Sequence, residues 1–289
     1  MSLNIIVLAK QVPDTRNVGS RAMNADGTIN RAALPAVFNP DDLGALEQAL
    51  CLKDKHEGSR VTVITMGPQR AADILREALY RGADDAILLS DRAFAGADTL
   101  ATSYALSAAI RKVGKCDIIL CGRQAIDGDT AQVGPQVAQQ LGLPQVTCAR
   151  KIVSVDNNEA VVEHSIENGV EVVKAPLPLL VTVDGSASPC RPRNAYRMLR
   201  FHRAATEQEQ ASAGYEFASQ GEERIFTIKE WNLAFVGGDA LRCGLAGSPT
   251  KVKAVENIVF KAKESKKYTA SGDDIKSFVS ELLANHTIG

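Results

Sequence analysis

The feature that most constrains the fold is a regular alternation of short apolar runs and helical patterns over the first two thirds of the chain. A run that is apolar at nearly every position is buried on both faces, and such runs are typical of parallel sheets. The stretches between them place apolar residues three and four positions apart, the period of an amphipathic helix. The alternation predicts an α/β fold with a doubly wound, mostly parallel sheet. The predicted strands are residues 3–9, 60–66, 85–90, 116–122 and 178–183.

The predicted helices carry end signals that fix where they start and stop. Asn39 stands before Pro40 and two acids, which is typical of a helix start because acids favour the positive end of the helix dipole. Asp98 and Gly114 delimit a second helical pattern, and Gly82 is expected at the C-terminal cap of a third.

Two segments depart from this alternation and predict antiparallel hairpins added to the sheet. Residues 21–31 contain Asp26-Gly27, a pair that favours a type I′ turn. Residues 149–175 contain the reversals "VDNNEAV" and "ENGV" between apolar stretches.

After about residue 204 the chain becomes polar and low in bulky apolar residues. We therefore predict an α/β domain over residues 1–204 and, over 205–289, a linker with a C-terminal arm. The arm ends in an amphipathic helix, and the pattern alone leaves open whether that helix packs on its own domain. Its apolar face consists of Ile275, Phe278, Val279, Leu282 and Leu283.

Composition excludes several classes of partner. The 289 residues carry a formal net charge of -1, so nothing favours nucleic acid or an anionic membrane. The first apolar run has no basic residues before it, and no run approaches the roughly 20 residues that span a bilayer. Six cysteines without CxxC pairs are typical of reduced thiols, and the four histidines are scattered, so we expect a cytoplasmic protein without a metal site.

The most informative loop lies between a predicted strand and a helix predicted over residues 130–141. Such a loop can bind phosphate, because the first N–H groups of the helix are unpaired. Its spacing matches neither GxGxxG nor Walker A, so a purely structural turn remains an alternative. Asp129 and Gln132 fit a capping box, and Asp127 could bond a ribose hydroxyl or only shape the turn. The loop consists of Gly122, Arg123, Gln124, Ala125, Ile126, Asp127, Gly128, Asp129, Thr130, Ala131, Gln132, Val133 and Gly134.

Three further loops are expected beside it. "AKQVPD" follows the first strand, "NPDD" opens the first helix and "TMGP" follows the second strand. In a parallel sheet all of these meet in the crevice outside the carboxyl ends of the strands.

The segments "LAKQVPD", "FNPDDLGALEQAL" and "GRQAIDGDTAQVGPQVAQQLGLPQ" resemble the electron-transfer flavoprotein β subunit. The similarity covers nearly the whole chain, residues 1–203 most clearly. It implies a heterodimer with a larger, FAD-carrying α subunit. It also implies an adenine nucleotide in the β subunit, which is AMP in the ordinary branch and a second FAD in the electron-bifurcating branch. The nucleotide contacts that the resemblance implies are Ala9, Asn39, Pro40, Asp41, Asp42, Met66 and the whole of the loop 122–134.

The sequence favours FAD over AMP in this site. "DGDTAQVGP" and "RCGLAGSPTKV" are similar to the bifurcating branch, and Gly128 and Ala131 are small enough to leave room beside the phosphates. The resemblance then implies that NADH supplies a hydride and that the electrons divide between two routes. One leads through the α-subunit FAD to an acyl-CoA or other flavin dehydrogenase, and the other to ferredoxin. No residue of the chain is required as nucleophile or general base.

The basic stretch "SASPCRPRNAYRMLRFHRA" is either a solvated surface or, as the resemblance implies, the loop that docks the dehydrogenase. The resemblance also implies that the C-terminal arm packs on the α subunit. The predicted docking residues are Arg193, Tyr196, Arg197, Met198 and Leu199. A nucleotide-hydrolysing enzyme on a similar sheet would need an SGGxD-type loop where this chain has "AKQVPDT".

Overall fold

The fold was analysed in a computed structural model, which describes residues 1–14, 35–156, 158–212, 226–250, 265–285 and 287–288. The hairpin predicted at residues 21–31 lies outside the described residues.

The described residues form strands and helices in alternation, close to the predicted bounds. The strands are β1 Asn4–Ala9, β2 Gln11–Pro13, β3 Ala36–Phe38, β4 Arg60–Met66, β5 Asp85–Leu89, β6 Ile118–Gly122, β7 Gln145–Asp156, β8 Glu159–Ile166, β9 Gly169–Pro176, β10 Leu179–Val183, β11 Ala205–Thr206 and β12 Thr227–Trp231. The α-helices are α1 Pro40–Lys55, α2 Ala72–Arg81, α3 Thr99–Val113, α4 Val133–Leu141, α5 Ala195–Phe201, α6 Glu207–Ser212 and α7 Gly272–Ala284.

In the part of the chain that the structure describes, ten strands make one sheet in the order β11-β12-β5-β4-β1-β6-β10-β7-β8-β9. The pairs from β11 to β7 are parallel, and β7, β8 and β9 are antiparallel. This confirms the doubly wound α/β fold and the hairpin additions at residues 149–175. The chain runs outward from β1 in both directions, so the strand order reverses between β1 and β6. Open α/β sheets bind ligands at such a switch point.

Two apolar layers enclose the sheet. One layer packs α1 and α2 on one face, and the other packs α3 and α4 on the opposite face. Strand side chains alternate between the layers, so Val7 belongs to the first and Leu8 to the second. Each fully buried large side chain contributes about 1.5–3 kcal/mol, and this core fixes the strand ends that form the crevice.

The predicted helix ends are confirmed in three places. The side chain of Asp98 accepts a hydrogen bond from the N–H of Ala101 at 3.0 Å, and α3 ends at Gly114. Gly82 ends α2 at φ +142°, where a Cβ would stand 2.8 Å from a methyl group of Leu50. Only glycine meets both conditions without strain.

The sheet continues past residue 204, where the sequence predicts a linker. β11 pairs with β12, and β12 pairs with β5 in parallel. These strands are two and five residues long, too short and too polar to be recognised as strands from the apolar pattern. The domain boundary at residue 204 stays a prediction.

The amphipathic helix predicted near the C-terminus is present as α7. None of its residues is buried, and Ile275, Phe278, Val279 and Leu283 are exposed. Among the described residues, no helix combines the length and the apolar character needed to cross a membrane.

Candidate functional site

The candidate site is a crevice at the carboxyl ends of β1 and β6. Three segments form it: the residues after β1, the first turn of α1, and the crevice loop, which we define as residues 123–132. Ala9 is the last residue of β1, and Met66 is the last residue of the neighbouring β4. The structure therefore brings the predicted nucleotide contacts to one edge of the sheet.

Asp42 is the buried centre of this arrangement. One of its carboxylate oxygens accepts a hydrogen bond from the N–H of Gly122 at 2.8 Å, and the other accepts from the N–H of Lys10 at 2.9 Å. Burial raises the pKa of Asp42 to about 7, although the two N–H bonds act in the opposite direction. Both oxygens accept from backbone donors and the residue is 6% exposed, so Asp42 supports the backbone of the site from the protein interior.

Asn39 occupies the N-cap position of α1, as predicted, but its side chain makes no capping hydrogen bond. The side-chain amide donates instead to the carbonyl of Gln124 at 2.8 Å, and its oxygen accepts from the N–H of Ile126 at 3.2 Å. The side chain thereby fixes the backbone of the crevice loop, and its polar atoms already have partners within the chain.

Two glycines allow the close packing behind the crevice. A Cβ on Gly122 would stand 2.6 Å from both the Asp41 Cβ and the nearer carboxylate oxygen of Asp42. A Cβ on Gly134 would stand 2.7 Å from the Thr182 side chain. Real Cβ atoms do not approach other atoms this closely, so any other residue would separate α1 from β6 or α4 from the sheet.

The predicted capping box at Asp129 is wrong. Helix α4 begins at Val133, three residues later than predicted, and Asp129 and Ala131 adopt left-handed backbone conformations at φ 50° and 53°. These conformations interrupt a right-handed helix. The Asp129 carboxylate accepts from the Gln124 side chain at 2.8 Å, and the N-cap residue Gln132 makes no side-chain cap. The start of α4 therefore has no side-chain cap within the described residues.

Asp127 lies on the outer rim of the crevice. Its two carboxylate oxygens accept from the Lys10 ammonium at 2.7 and 2.8 Å, with both side chains partly exposed. The ion pair joins the segment after β1 to the crevice loop. An exposed pair of this kind contributes about 0–1 kcal/mol, so it can open easily.

Sequence reasoning missed two polar residues at this edge, Lys10 and Asp184. Lys10 directly follows β1, and Asp184 directly follows β10 with a carboxylate oxygen 3.9 Å from the Arg123 guanidinium. Both could have been found by asking which charged residue comes first after every predicted parallel strand, because these positions share one edge.

The crevice is acidic, and burial raises the pKa of Asp41. Its cations are Lys10 and Arg123, while its acids are Asp41, Asp42, Asp127, Asp129 and Asp184. A bound phosphate would therefore depend on the N–H groups at the uncapped start of α4 and on the two cations. Gly128 is exposed, with open space where a side chain would be. The uncapped N–H donors and the two cations are the groups at this edge that fit the phosphates of a nucleotide.

The predicted docking residues lie on and before α5. Arg193 is exposed, and Tyr196 and Leu199 are each 73% exposed. Met198 is also exposed, at 39%. Arg197 differs, because its guanidinium donates to the carbonyl of Leu79 at 2.6 Å and to that of Ala83. It attaches α5 to the end of α2.

The fold and the crevice define the class first: a doubly wound α/β protein whose crevice at the switch point is of the kind that binds nucleotides. The electron transfer flavoprotein domain matches residues 26–212. The chain belongs to this family and resembles its β subunits, as the sequence motifs predict. It is an electron-transfer subunit by this relationship.

Named relatives agree with this assignment. The electron transfer flavoprotein subunit beta of Clostridium acetobutylicum is 45% identical over 251 residues, covering 87% of this chain and 86% of the relative. The caffeyl-CoA reductase-Etf complex subunit CarD of Acetobacterium woodii is 44% identical over 250 residues, covering 86% of each. The acryloyl-CoA reductase electron transfer subunit gamma of Anaerotignum propionicum is 50% identical over 182 residues, covering 62% of this chain and 67% of the relative.

Proposed function

We propose that this chain is the β subunit of a heterodimeric, electron-bifurcating flavoprotein, and that its crevice binds FAD. The observation that carries the proposal is the start of α4, which has no side-chain cap and follows the crevice loop at the carboxyl end of β6. The phosphates would lie at this helix start, because backbone N–H groups and the positive helix end stabilise negative charge.

The residues of the chain bind and orient the nucleotide. Lys10 and Arg123 supply positive charge at the two sides of the crevice loop, while Asn39 and Asp42 hold the backbone around it. Ala9 and Met66 stand at the ends of their strands and would contact the nucleotide with apolar surface and backbone. Carboxylates that are already paired need not repel the phosphates strongly.

FAD is favoured over AMP because the small residues Gly128 and Ala131 in the crevice loop would leave room beside the phosphates. The resemblance of "DGDTAQVGP" and "RCGLAGSPTKV" to the bifurcating branch supports the same choice. A non-bifurcating shuttle with a structural AMP is the alternative. When bound, FAD would supply the redox chemistry, accepting a hydride from NADH and passing electrons on to the α-subunit FAD and to a carrier such as ferredoxin.

Two surfaces suit the expected partners. The exposed apolar face of α7 would pack on the α subunit. The heterodimer would act in the cytoplasm, where a reduced nicotinamide is available. Tyr196 and Leu199 on α5 would contact the dehydrogenase, and relatives named for caffeyl-CoA and acryloyl-CoA reductases support an acyl-CoA-type partner. Arg193→Glu should slow electron transfer to that partner at unchanged flavin content, and an unchanged transfer rate would count against this docking surface.

The function is tested by mixing the αβ heterodimer with NADH in a stopped-flow spectrometer. The proposal predicts rapid loss of the flavin absorbance near the start of the reaction. Absence of bleaching at saturating NADH, with flavin present in both subunits, would exclude NADH oxidation. Bleaching only after a reduced dehydrogenase is added would favour the AMP-containing shuttle.

A further inference from the structure

The carboxylate of Asp42 joins two strands at the point where they stop pairing with each other. β1 and β6 pair in parallel register from Ile5↔Ile118 to Val7↔Leu120, and no later pair follows. Beyond that point the two oxygens of Asp42 accept one N–H from each side, from Lys10 and from Gly122. We call this arrangement the Asp42 bridge.

The Asp42 bridge depends on where Asp42 lies in the fold and on the residue that it contacts. Asp42 belongs to the first turn of α1, and it reaches Gly122 only because that residue has no Cβ. The Asp42 residue is 6% exposed, so water does not compete for its oxygens. A buried carboxylate that accepts two N–H bonds holds both donors firmly.

We propose that Asp42 is a positioning residue that sets the width of the crevice between β1 and β6. By fixing the backbone of Lys10 it places the Lys10 ammonium, and by fixing Gly122 it sets where the crevice loop begins. In this proposal Asp42 itself does not touch the nucleotide, because its carboxylate is buried behind the backbone that it holds. This inference rests on the proposed function, in which the crevice holds an adenine nucleotide.

Protonation of the Asp42 carboxylate would change the Asp42 bridge in a way that depends on pH. An ionised Asp42 accepts both N–H bonds, whereas a protonated carboxyl keeps one strong acceptor and releases its hold on one strand end. The pKa of about 7 places this change within the accessible range. The titratable and charged groups around Asp42 are Lys10 after β1, Asp41 on its own helix, Cys121, Arg123, Asp127 and Asp129 in or beside the crevice loop, and Asp184 after β10.

The test compares Asp42→Asn with Asp117→Asn in the full αβ complex. Asp117 is a matched control, because it also accepts a backbone N–H across β1 and β6, from Asn4 at 2.7 Å, but at the opposite edge of the sheet. An asparagine at position 42 can accept only one of the two N–H bonds. We expect Asp42→Asn to weaken FAD binding to the emptied crevice about tenfold or more, and Asp117→Asn to leave it unchanged.

The pH profile separates positioning from a general loss of stability. FAD affinity of the unaltered complex should fall as the pH is lowered through about 7, and Asp42→Asn should remove that dependence. An Asp42→Asn variant with full affinity, or one that retains the wild-type pH profile, would overturn the inference.

A second measurement needs no variant, and it applies even if Asp42→Asn does not fold. In the unaltered complex, the amides of Lys10 and Gly122 should lose protection from hydrogen exchange below pH about 7, relative to the amide of Asn4. Unchanged protection would contradict the bridge. If the crevice binds no nucleotide at all, the proposed function fails, while the exchange experiment still decides whether the bridge exists.

Discussion

Strands β1 and β6 are joined in different ways at the amino edge and at the carboxyl edge of the sheet. At the amino edge, Asn4 and Asp117 bond each other directly, with the Asn4 N–H donating to the Asp117 carboxylate and the Asp117 N–H donating to the Asn4 carbonyl at 2.9 Å. At the carboxyl edge the direct pairing stops, and a third element, α1, joins the strands through Asp42.

This difference shows that the carboxyl edge is organised by a side chain from α1, whereas the amino edge is organised by the two strands themselves. The carboxyl edge therefore depends on a few specific side chains, and substitutions there should affect both stability and nucleotide binding. Substitutions at the amino edge should affect stability alone.

The largest expected effect of a substitution is that of Gly122→Ala. The added Cβ would contact the Asp42 carboxylate and the α1 backbone, so α1 must move away from β6. We expect the free energy of unfolding to fall by about 1–3 kcal/mol and FAD to be lost on purification. Gly169→Ala is the matched control, because nothing lies within 4 Å of its Cβ position. Urea unfolding and flavin absorbance of the complex measure both effects, and equal losses in the two variants would contradict the comparison.

The next effect is a pH dependence of stability that originates at the carboxyl edge. Asp42 has a folded-state pKa of about 7 against an ordinary 3.8, so between these values the folded chain binds more protons than the unfolded chain. The stabilisation from this group is present below pH about 4 and is lost as the pH rises through about 7, with a slope of at most about 1.4 kcal/mol per pH unit.

Unfolding curves collected across this pH range for the unaltered chain and Asp42→Asn measure the slope. The slope should be smaller in Asp42→Asn than in the unaltered chain. A slope that persists in full after Asp42→Asn would assign the titration to another group.

The smallest expected effect on stability comes from the exposed ion pairs at the two edges. Lys10→Gln removes the pair with Asp127, and Arg60→Gln removes the pair with Asp85 at 2.7 Å on the amino edge. Each should change the free energy of unfolding by less than about 1 kcal/mol. Only Lys10→Gln should weaken FAD binding, as followed by calorimetric titration, and a similar loss in Arg60→Gln would show that the two edges are not distinct.

The sequence predicts the fold well where local signals are strong. Apolar runs and caps such as Asp98 and Gly82 identify the central strands and helices, because burial on both faces and helix-end chemistry each require particular residue types. β11 and β12 carry no such mark, since they are short strands in a polar segment. Their pairing depends on a sheet edge built by β5.

The sequence predicts which strand ends and loops lie together at the candidate site, and it predicts few of the bonds between them. Parallel strand ends must converge, so the sequence predicts that the segments at Asn39 and Gly122 lie together, as the structure has them, and nucleotide binding by these segments stays a prediction. The actual bonds join residues far apart in the chain, such as Lys10 with Asp127. The capping box at Asp129 was wrong because the backbone turns left-handed there, which a short polar pattern does not reveal.

The most direct test of FAD binding in the crevice is to identify, by chromatography, the nucleotides released from the co-expressed αβ heterodimer. We expect two FAD and no AMP for each heterodimer, with one FAD lost in Gly122→Ala. One FAD and one AMP would contradict FAD in the crevice and favour the shuttle. A single FAD with no second nucleotide would contradict nucleotide binding in the crevice.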